Sequence, residues 1–147
     1  FEANELKYIR NTLNSKLQLV QLIGSRPLGL IPVSESLPPI DAMVRELPEI
    51  AKYANGVGPS LSTIAKLTDA DDPDSEIMST GLVEAAQTAG LVVHPYTDRV
   101  DILPSWAGSI DKLHRKLLSH IRVDGFFTDF PDVSREAIDN FAKPSVQ

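Results

Sequence analysis

The sequence predicts a parallel α/β fold, in which helices cover a sheet of parallel strands. Strand-like and helix-like segments alternate four times within 147 residues, and the connections between them are long enough for right-handed crossovers. The first strand-like segment, LQLVQLI, is almost continuously apolar, as expected for a strand that is buried on both faces. With 42% hydrophobic and 23% charged residues, the chain has the composition of one globular domain.

Periodicity and end signals place the elements in order. The apolar stripe that includes Leu6 and Leu13 predicts the first helix. Asp41, Ser109 and Ser134 stand where later helices begin, and we predict that they are N-caps. The predicted helices cover about 1–14, 41–54, 80–89, 109–121 and 134–142, and the predicted strands cover about 17–23, 53–60, 91–97 and 125–131.

Two segments are predicted to be irregular. Residues 24–40 contain four prolines, two glycines and three serines, a composition typical of loops. Loops of this length inside compact domains are usually functional or mobile. Residues 61–75 are polar and acidic, and we expect a solvated loop there, because the ordered alternation and terminal glutamate of a calcium loop are missing.

Charge and composition exclude several classes of partner. The net charge is −6, and the 14 basic residues are scattered rather than clustered, so no nucleic-acid binding is expected. The absence of cysteine excludes disulfides, thiolate metal sites and cysteine nucleophiles. No run of 18 apolar residues and no leader-like basic and apolar start occurs, so no membrane span is expected.

The strand ends carry the candidate ligand-binding residues, because ligands of parallel α/β folds bind at the carboxyl ends of the strands. Arg99 offers a planar fork that suits the oxygens of a phosphate or carboxylate. Tyr96 can stack on a ligand and donate its hydroxyl, and His94 could transfer protons near neutral pH. The candidate substrate-binding residues are therefore Tyr96, Arg99, Gln21, His94 and Thr128.

Structural roles are the alternatives at several of these positions. His94 lies deeper in the strand than Tyr96 on the same face, so a hydrogen-bonded core histidine is the alternative there. Asp129 fits a turn or a helix cap as well as a site. Trp106 is interpreted as loop packing. No complete catalytic motif is present, so the residues alone predict an α/β ligand site that prefers anions.

Two segments resemble a known family. GLVVHPYTDRVDILP at 90–104 and VDGFFTDFPD at 123–132 resemble the glycerophosphodiester phosphodiesterase family, most closely its bacterial periplasmic branch. LVQLIG at 19–24 and IAKYANGVGPS at 50–60 resemble the preceding strands of that branch, and FEANELKYIR at 1–10 resembles the helix entry before them. The similarity covers nearly the whole chain in the order expected for the family.

The resemblance implies a (β/α)8 TIM-barrel fold, of which this chain would supply the C-terminal half, about the last four β/α units. It implies that the parent enzyme hydrolyses glycerophosphodiesters to glycerol 3-phosphate and an alcohol, in the periplasm or outside the cell. It also implies a divalent cation, calcium in this branch. The catalytic and metal-binding residues of the family lie on earlier strands, so we expect none of them in residues 1–147, and we expect this chain alone to be inactive.

The resemblance also bears on partners. Tyr96 would wall the substrate pocket, and Arg99 would be an anion contact. The exposed strand edges LVQLI and GFFTDF would pair with the N-terminal half or with another copy. Two alternatives remain open, a non-catalytic half-barrel that acts as a binding module and a different enzyme on a complete doubly wound sheet.

Overall fold

The structure, a computed structural model, describes residues 1–72 and 75–142 and has an α/β architecture. The strands are β1 (Val20–Ile23), β2 (Gly56–Pro59), β3 (Ala65–Leu67), β4 (Ile77–Ser79) and β5 (Val92–Val93). The helices are α1 (Ala3–Asn11), α2 (Pro39–Ile50), α3 (Leu61–Ile64), α4 (Leu82–Thr88), α5 (Ile110–Arg115) and α6 (Pro131–Ala142), and a π-helical segment, Lys116–Ile121, continues α5.

The main sheet is parallel and follows chain order, β1-β2-β5, as the sequence predicts. Close packing between its strands requires glycine on β2. A Cβ atom on Gly56 would lie 2.8 Å from the backbone oxygen of Val92, and one on Gly58 would lie 3.0 Å from the backbone oxygen of His94. The three strands therefore approach one another at positions where no larger residue fits.

The predicted fourth strand does not form as a regular strand. A single parallel bridge joins Asp98 to Thr128. Around it, the Phe127 N–H donates to the Pro95 carbonyl at 2.9 Å, and the Asp98 N–H donates to the Phe127 carbonyl at 2.7 Å. Pro95 has no N–H to donate, so the ladder is interrupted after β5. The pairing of the third and fourth segments that the sequence predicts is present, without a continuous strand.

The acidic segment after β2 contains structure that the sequence analysis missed. Instead of one solvated loop, α3 is followed by an antiparallel hairpin of β3 and β4. Each of these strands has only three residues, too few to show a clear alternating pattern.

Two predicted helix caps are wrong, and both errors have the same cause. Helix α2 begins at Pro39 and α6 begins at Pro131, so Asp41 and Ser134 lie in the first turns rather than at the N-caps. Proline favours the first helical position because its φ angle is preset and its missing N–H would be unpaired there anyway. The predicted cap of α5 is confirmed, since the Ser109 hydroxyl accepts from the Lys112 N–H at 3.2 Å.

The hydrophobic core lies between one face of the sheet and the helices. That face contributes Ile23, Val57 and Val93, and the helices contribute Met43, Leu47, Leu82, Val83, Leu113 and Leu117. The opposite face is open, and Val92 and Phe127 on that side are 43% and 42% exposed. Among the described residues, no helix has the length and apolarity needed to cross a bilayer.

Candidate active site at the carboxyl ends of the strands

A cavity of about 330 Å³ lies beyond the carboxyl ends of β2 and β5. Its walls come from the residues after β2 and from the HPYTDR loop (residues 94–99) with the segment that follows it. The lining residues are Ser60, Leu61, Ser62, Tyr96, Thr97, Arg99, Ile102, Leu103 and Pro104. The carboxyl end of a parallel sheet is the edge at which α/β proteins bind ligands. The structure thus places a cavity where the sequence predicts a site.

Tyr96 bridges two strand ends. Its hydroxyl donates to the Ile23 carbonyl at the end of β1 at 3.1 Å. Its ring meets the ring of Phe1 edge-on, with 5.7 Å between centroids. Burial raises the pKa of Tyr96. Since the hydroxyl proton is already donated, Tyr96 presents a ligand with its ring and the hydroxyl lone pairs.

Arg99 is held by two carboxylates. Its Nε and Nη2 atoms donate to the two oxygens of Asp101 at 3.0 and 2.7 Å, and its Nη1 donates to Oδ2 of Asp129 at 2.6 Å. The hydrogen bonds and charge of Asp101, and then those of Asp129, raise the pKa of Arg99. Three of the five N–H donors of a guanidinium are therefore in use. Arg99 reaches the cavity as a fixed group with two N–H donors left.

The structure separates the five predicted site residues. Tyr96 and Arg99 line the same cavity. His94 lies on the open face of the sheet, where its ring packs 6.2 Å from the ring of Phe127. No hydrogen bond joins the His94 ring to another residue of the described ranges, so the alternative of a hydrogen-bonded core histidine finds no support. Gln21 and Thr128 do not reach the cavity.

Gln21 is fully buried within β1 and is not at its end, so the expectation that it stands at a strand end is wrong. Its Oε1 accepts from the Tyr53 hydroxyl at 2.9 Å, and its Nε2 donates to the Leu22 carbonyl at 2.9 Å. β1 ends two residues later, at Ile23. Strand alternation turns Gln21 toward the helices.

Thr128 lies three residues before the start of α6. Its hydroxyl accepts from the Phe130 N–H at 3.0 Å and lies 3.3 Å from the Asp98 carbonyl, to which it donates. Trp106 is buried as predicted, with its indole N–H donated to the Leu61 carbonyl at 3.2 Å.

A buried polar cluster beneath the HPYTDR loop was not predicted. Asp98 is 1% exposed, and its Oδ2 accepts from Nε2 of His114 at 2.8 Å and from the Ser134 hydroxyl at 2.5 Å. Burial by itself would raise the pKa of Asp98, but the hydrogen bonds from His114 and Ser134 and the charge of His114 outweigh burial and lower it. The sequence does contain a signal, because His114 stands on the apolar stripe of α5 between Ile110 and Leu117.

A second buried carboxylate anchors the proline loop (residues 24–38), which follows β1. Glu46 on α2 is 1% exposed, and its two oxygens accept from the N–H groups of Leu28 and Leu30, each at 2.6 Å. The proline loop lines a further cavity of about 460 Å³ together with the residues around Phe1. The spacing of Glu46 from Met43 and Ile50 on the buried face of α2 was a signal for an inward carboxylate.

The described residues do not fit a divalent-cation site. No group of three or more His, Asp or Glu side chains in 1–72 and 75–142 is arranged to hold a metal ion. The carboxylates beside the cavity, Asp101 and Asp129, are both paired with Arg99.

Comparison with known proteins identifies the family. Residues 1–133 match the sequence profile of the glycerophosphoryl diester phosphodiesterase family. The chain is 34% identical, over an alignment 149 residues long, to a glycerophosphodiester phosphodiesterase of Haemophilus influenzae, and the alignment covers 92% of this chain and 40% of that protein. It is 33% identical over 85 residues to a glycerophosphodiester phosphodiesterase of Treponema pallidum, covering 58% of this chain and 23% of that protein. The chain therefore spans at most about two fifths of these relatives, and it belongs to the glycerophosphoryl diester phosphodiesterase family.

Proposed function

We propose that residues 1–147 form the C-terminal half of a glycerophosphodiester phosphodiesterase domain and supply about the last four β/α units of its (β/α)8 barrel. Three observations support this proposal. The C-terminal segments at 90–104 and 123–132 resemble the late strands of the family, the parallel strands follow chain order, and the chain covers 40% of the Haemophilus relative. A complete barrel of this type needs about 250 residues.

The proposed activity of the complete enzyme is hydrolysis of glycerophosphodiesters to glycerol 3-phosphate and an alcohol. The observation that carries it is the cavity beyond β2 and β5, lined by Tyr96 and Arg99, in a chain of this family. Barrel enzymes of this class place their chemistry at that end of the strands. By resemblance, we place the enzyme in the periplasm or outside the cell.

In this proposal the chain binds the substrate and leaves the chemical step to residues outside it. Tyr96 walls the cavity with its ring, and Arg99 offers its two remaining N–H donors to a phosphodiester oxygen. His94, on the open face of the sheet, is the third residue that we propose to meet substrate. Gln21 and Thr128 are bonded away from the cavity, and Thr128 supports the HPYTDR loop by donating to the Asp98 carbonyl.

The cation of the proposed enzyme is held elsewhere. By resemblance it is a divalent ion, with calcium as the specific proposal, and its ligands lie in the N-terminal half. The described residues offer no cluster that could hold it. We therefore assign no step of the reaction to a metal bound by this chain.

The open face of the sheet is the proposed contact with the rest of the barrel. Val92 and Phe127 on that face are 43% and 42% exposed, and β1 is a strand edge. Such an edge can pair with another strand. We propose that the N-terminal half pairs with this edge and covers the face around Val92, leaving His94, just past the end of β5, open to the substrate. A second copy of the chain is the alternative occupant.

The test is an assay of the complete enzyme with glycerophosphocholine and calcium. We expect release of glycerol 3-phosphate, and we expect none when a chelator removes the cation. A complete enzyme that binds glycerophosphocholine without hydrolysing it would favour the non-catalytic module. Turnover by the pure 147-residue chain would contradict the placement of the catalytic residues outside it.

A further inference from the structure

We propose that His114 is a positioning residue for the candidate active site. From α5 it holds Asp98, and through Asp98 it holds the HPYTDR loop that carries Tyr96 and Arg99. The inference rests on the proposed function for its kinetic consequence, whereas the contact itself is independent of that function.

Asp98 sits between two residues that line the cavity, but its side chain turns the other way. Thr97 and Arg99 face the cavity, whereas Asp98 is 1% exposed and points to the helices. His114 on α5 and Ser134 on α6 both donate to the same oxygen, Oδ2, at 2.8 and 2.5 Å. The loop is therefore joined to two helices through one carboxylate.

The backbone of Asp98 extends this connection to the partner of Arg99. The Asp98 N–H donates to the Phe127 carbonyl at 2.7 Å, and the Asp129 N–H donates to the Asp98 carbonyl at 3.1 Å. Asp129 in turn accepts from Arg99 at 2.6 Å. A displacement of Asp98 would therefore move both Arg99 and one of the carboxylates that orient it.

The ring of His114 is fixed in both plane and proton position. It is 3% exposed and stacks on the ring of Phe126, with centroids 5.6 Å apart and planes 19° apart. Because Nε2 faces the Asp98 carboxylate, the proton must reside on Nε2 for the contact to be a hydrogen bond. The Nε2–H group of His114 is therefore held in one orientation, toward the Asp98 carboxylate.

The cluster is not arranged for stability alone. Oδ1 of Asp98 and Nδ1 of His114 are both buried, and neither has a hydrogen-bond partner within the described part of the chain. Buried polar atoms without partners destabilise a fold, and apolar side chains of similar volume often replace a buried ion pair without loss of stability. We infer that the Asp98–His114 pair fixes the position of the HPYTDR loop rather than adding to the stability of the fold.

The test compares three variants of the complete enzyme. His114→Leu removes the donor, and His114→Gln keeps an N–H at a similar reach. Leu117→Ala is the matched control, a buried change on the same helical face that removes no hydrogen bond to Asp98. We expect His114→Leu to lower kcat/KM about ten- to a hundredfold, because small displacements of binding groups have effects of that size. We expect His114→Gln to stay within about threefold and Leu117→Ala within about twofold of the parent, despite a lower melting temperature for the control.

A second readout does not depend on activity. Amide hydrogen exchange at Asp98 and Asp129 should accelerate in His114→Leu relative to the amides of β1 and β2 in the same variant, whereas in Leu117→Ala any acceleration should be shared by all of these amides, as expected for a change in global stability. If the unsubstituted enzyme does not hydrolyse glycerophosphocholine, the proposed function fails and the exchange rates still decide the positioning role. If His114→Leu does not fold, His114→Leu combined with Asp98→Leu removes the same contact by replacing the buried pair with apolar side chains, often without loss of stability, and we expect the same loss of kcat/KM. Unchanged exchange and kinetics in the folded variants, or an equal loss in Leu117→Ala, would overturn the inference.

Discussion

The proline loop and the HPYTDR loop follow strands of the same sheet, and each is anchored by a buried carboxylate, but in opposite directions. In the proline loop the carboxylate belongs to a helix: Glu46 reaches out and accepts from two backbone N–H groups of the loop. In the HPYTDR loop the carboxylate belongs to the loop: Asp98 reaches in and accepts from side chains of two helices. A backbone anchor works with almost any loop sequence, whereas a side-chain anchor requires three particular residues.

The largest expected effect is at the side-chain anchor. Asp98→Ala would leave the buried Nε2 donor of His114 without its acceptor, whereas the Ser134 hydroxyl could still donate to Thr128 or Phe130. Removal of one partner of a buried pair typically costs about 3–5 kcal/mol, so we expect the free energy of unfolding to fall by about that amount. Denaturant unfolding of the complete enzyme measures it. A loss below about 1 kcal/mol would show that the cluster does not hold the loop.

Substitutions of Glu46, the backbone anchor, should lower the free energy of unfolding by less than Asp98→Ala does, and by an amount that depends on how many hydrogen bonds are lost. Glu46→Ala removes the acceptor of the Leu28 and Leu30 amides, and we expect a loss of about 2–3 kcal/mol, as for buried donors left unsatisfied. Glu46→Gln keeps one oxygen acceptor and should lose about half as much. The same unfolding experiment measures both variants. Equal losses for the two variants would contradict a role based on the two separate hydrogen bonds.

Substitution of Arg99 tests whether the HPYTDR loop binds the substrate or whether Arg99 only stabilises the conformation of the loop. If Arg99 contacts the phosphodiester, Arg99→Ala should lower kcat/KM of the complete enzyme about ten- to a hundredfold, the equivalent of one charge-assisted contact of about 1.5–3 kcal/mol. Arg99→Lys should recover only part, because it keeps the charge without the fork. Exposed ion pairs contribute about 0–1 kcal/mol, so the melting temperature should change little.

The structure also supplies the competing explanation, since Asp101 and Asp129 already bind three of the N–H groups of Arg99. An Arg99→Ala variant that stays within twofold of the parent would assign Arg99 to the shape of the loop. Substrate binding by this chain would then depend on Tyr96 and His94.

The smallest expected effect is a titration that reports on Glu46. Burial first, and then the charge of Glu46, raise the pKa of Tyr53 from 10.0 to about 12. A raised pKa means that this group contributes stability below pH 10, which is lost as the pH rises toward 12. Ultraviolet titration of phenolate absorbance should show one tyrosine ionising near pH 12, and Tyr53→Phe should remove that step. In Glu46→Gln the step should move to lower pH, and an unmoved step would mean that Glu46 carries no charge there.

Sequence patterns predicted the sheet better than the anchors. The alternation of segments was enough for the parallel order β1-β2-β5, because right-handed crossovers permit few other topologies. The helices at 39–50 and 131–142 were predicted, but their first residues were not. Each helix begins at a proline, whereas the prediction placed the starts at Asp41 and Ser134. The hairpin of β3 and β4 was missed because three-residue strands have no measurable period.

Only part of the site was predicted, because local sequence patterns identify residues at a strand end but not contacts between distant segments. Tyr96 and Arg99 were found because polar residues directly follow an apolar strand. Gln21 was misplaced because the end of β1 had to be guessed from composition. His114 was overlooked because its partner, Asp98, is 16 residues away along the chain. A buried polar pair depends on tertiary contact, and only the position of His114 on an apolar helix face hints at it.

Reconstitution from two pieces tests the central claim most directly. The 147-residue chain and the remainder of the enzyme would be produced separately, and release of glycerol 3-phosphate from glycerophosphocholine would be measured for each piece and for the mixture, with calcium present. We expect neither piece to turn over substrate alone and the mixture to do so, because we propose that this chain supplies the binding wall and that the other piece supplies the catalytic residues. Turnover by the 147-residue chain alone, or full activity of the other piece without it, would contradict this division of roles.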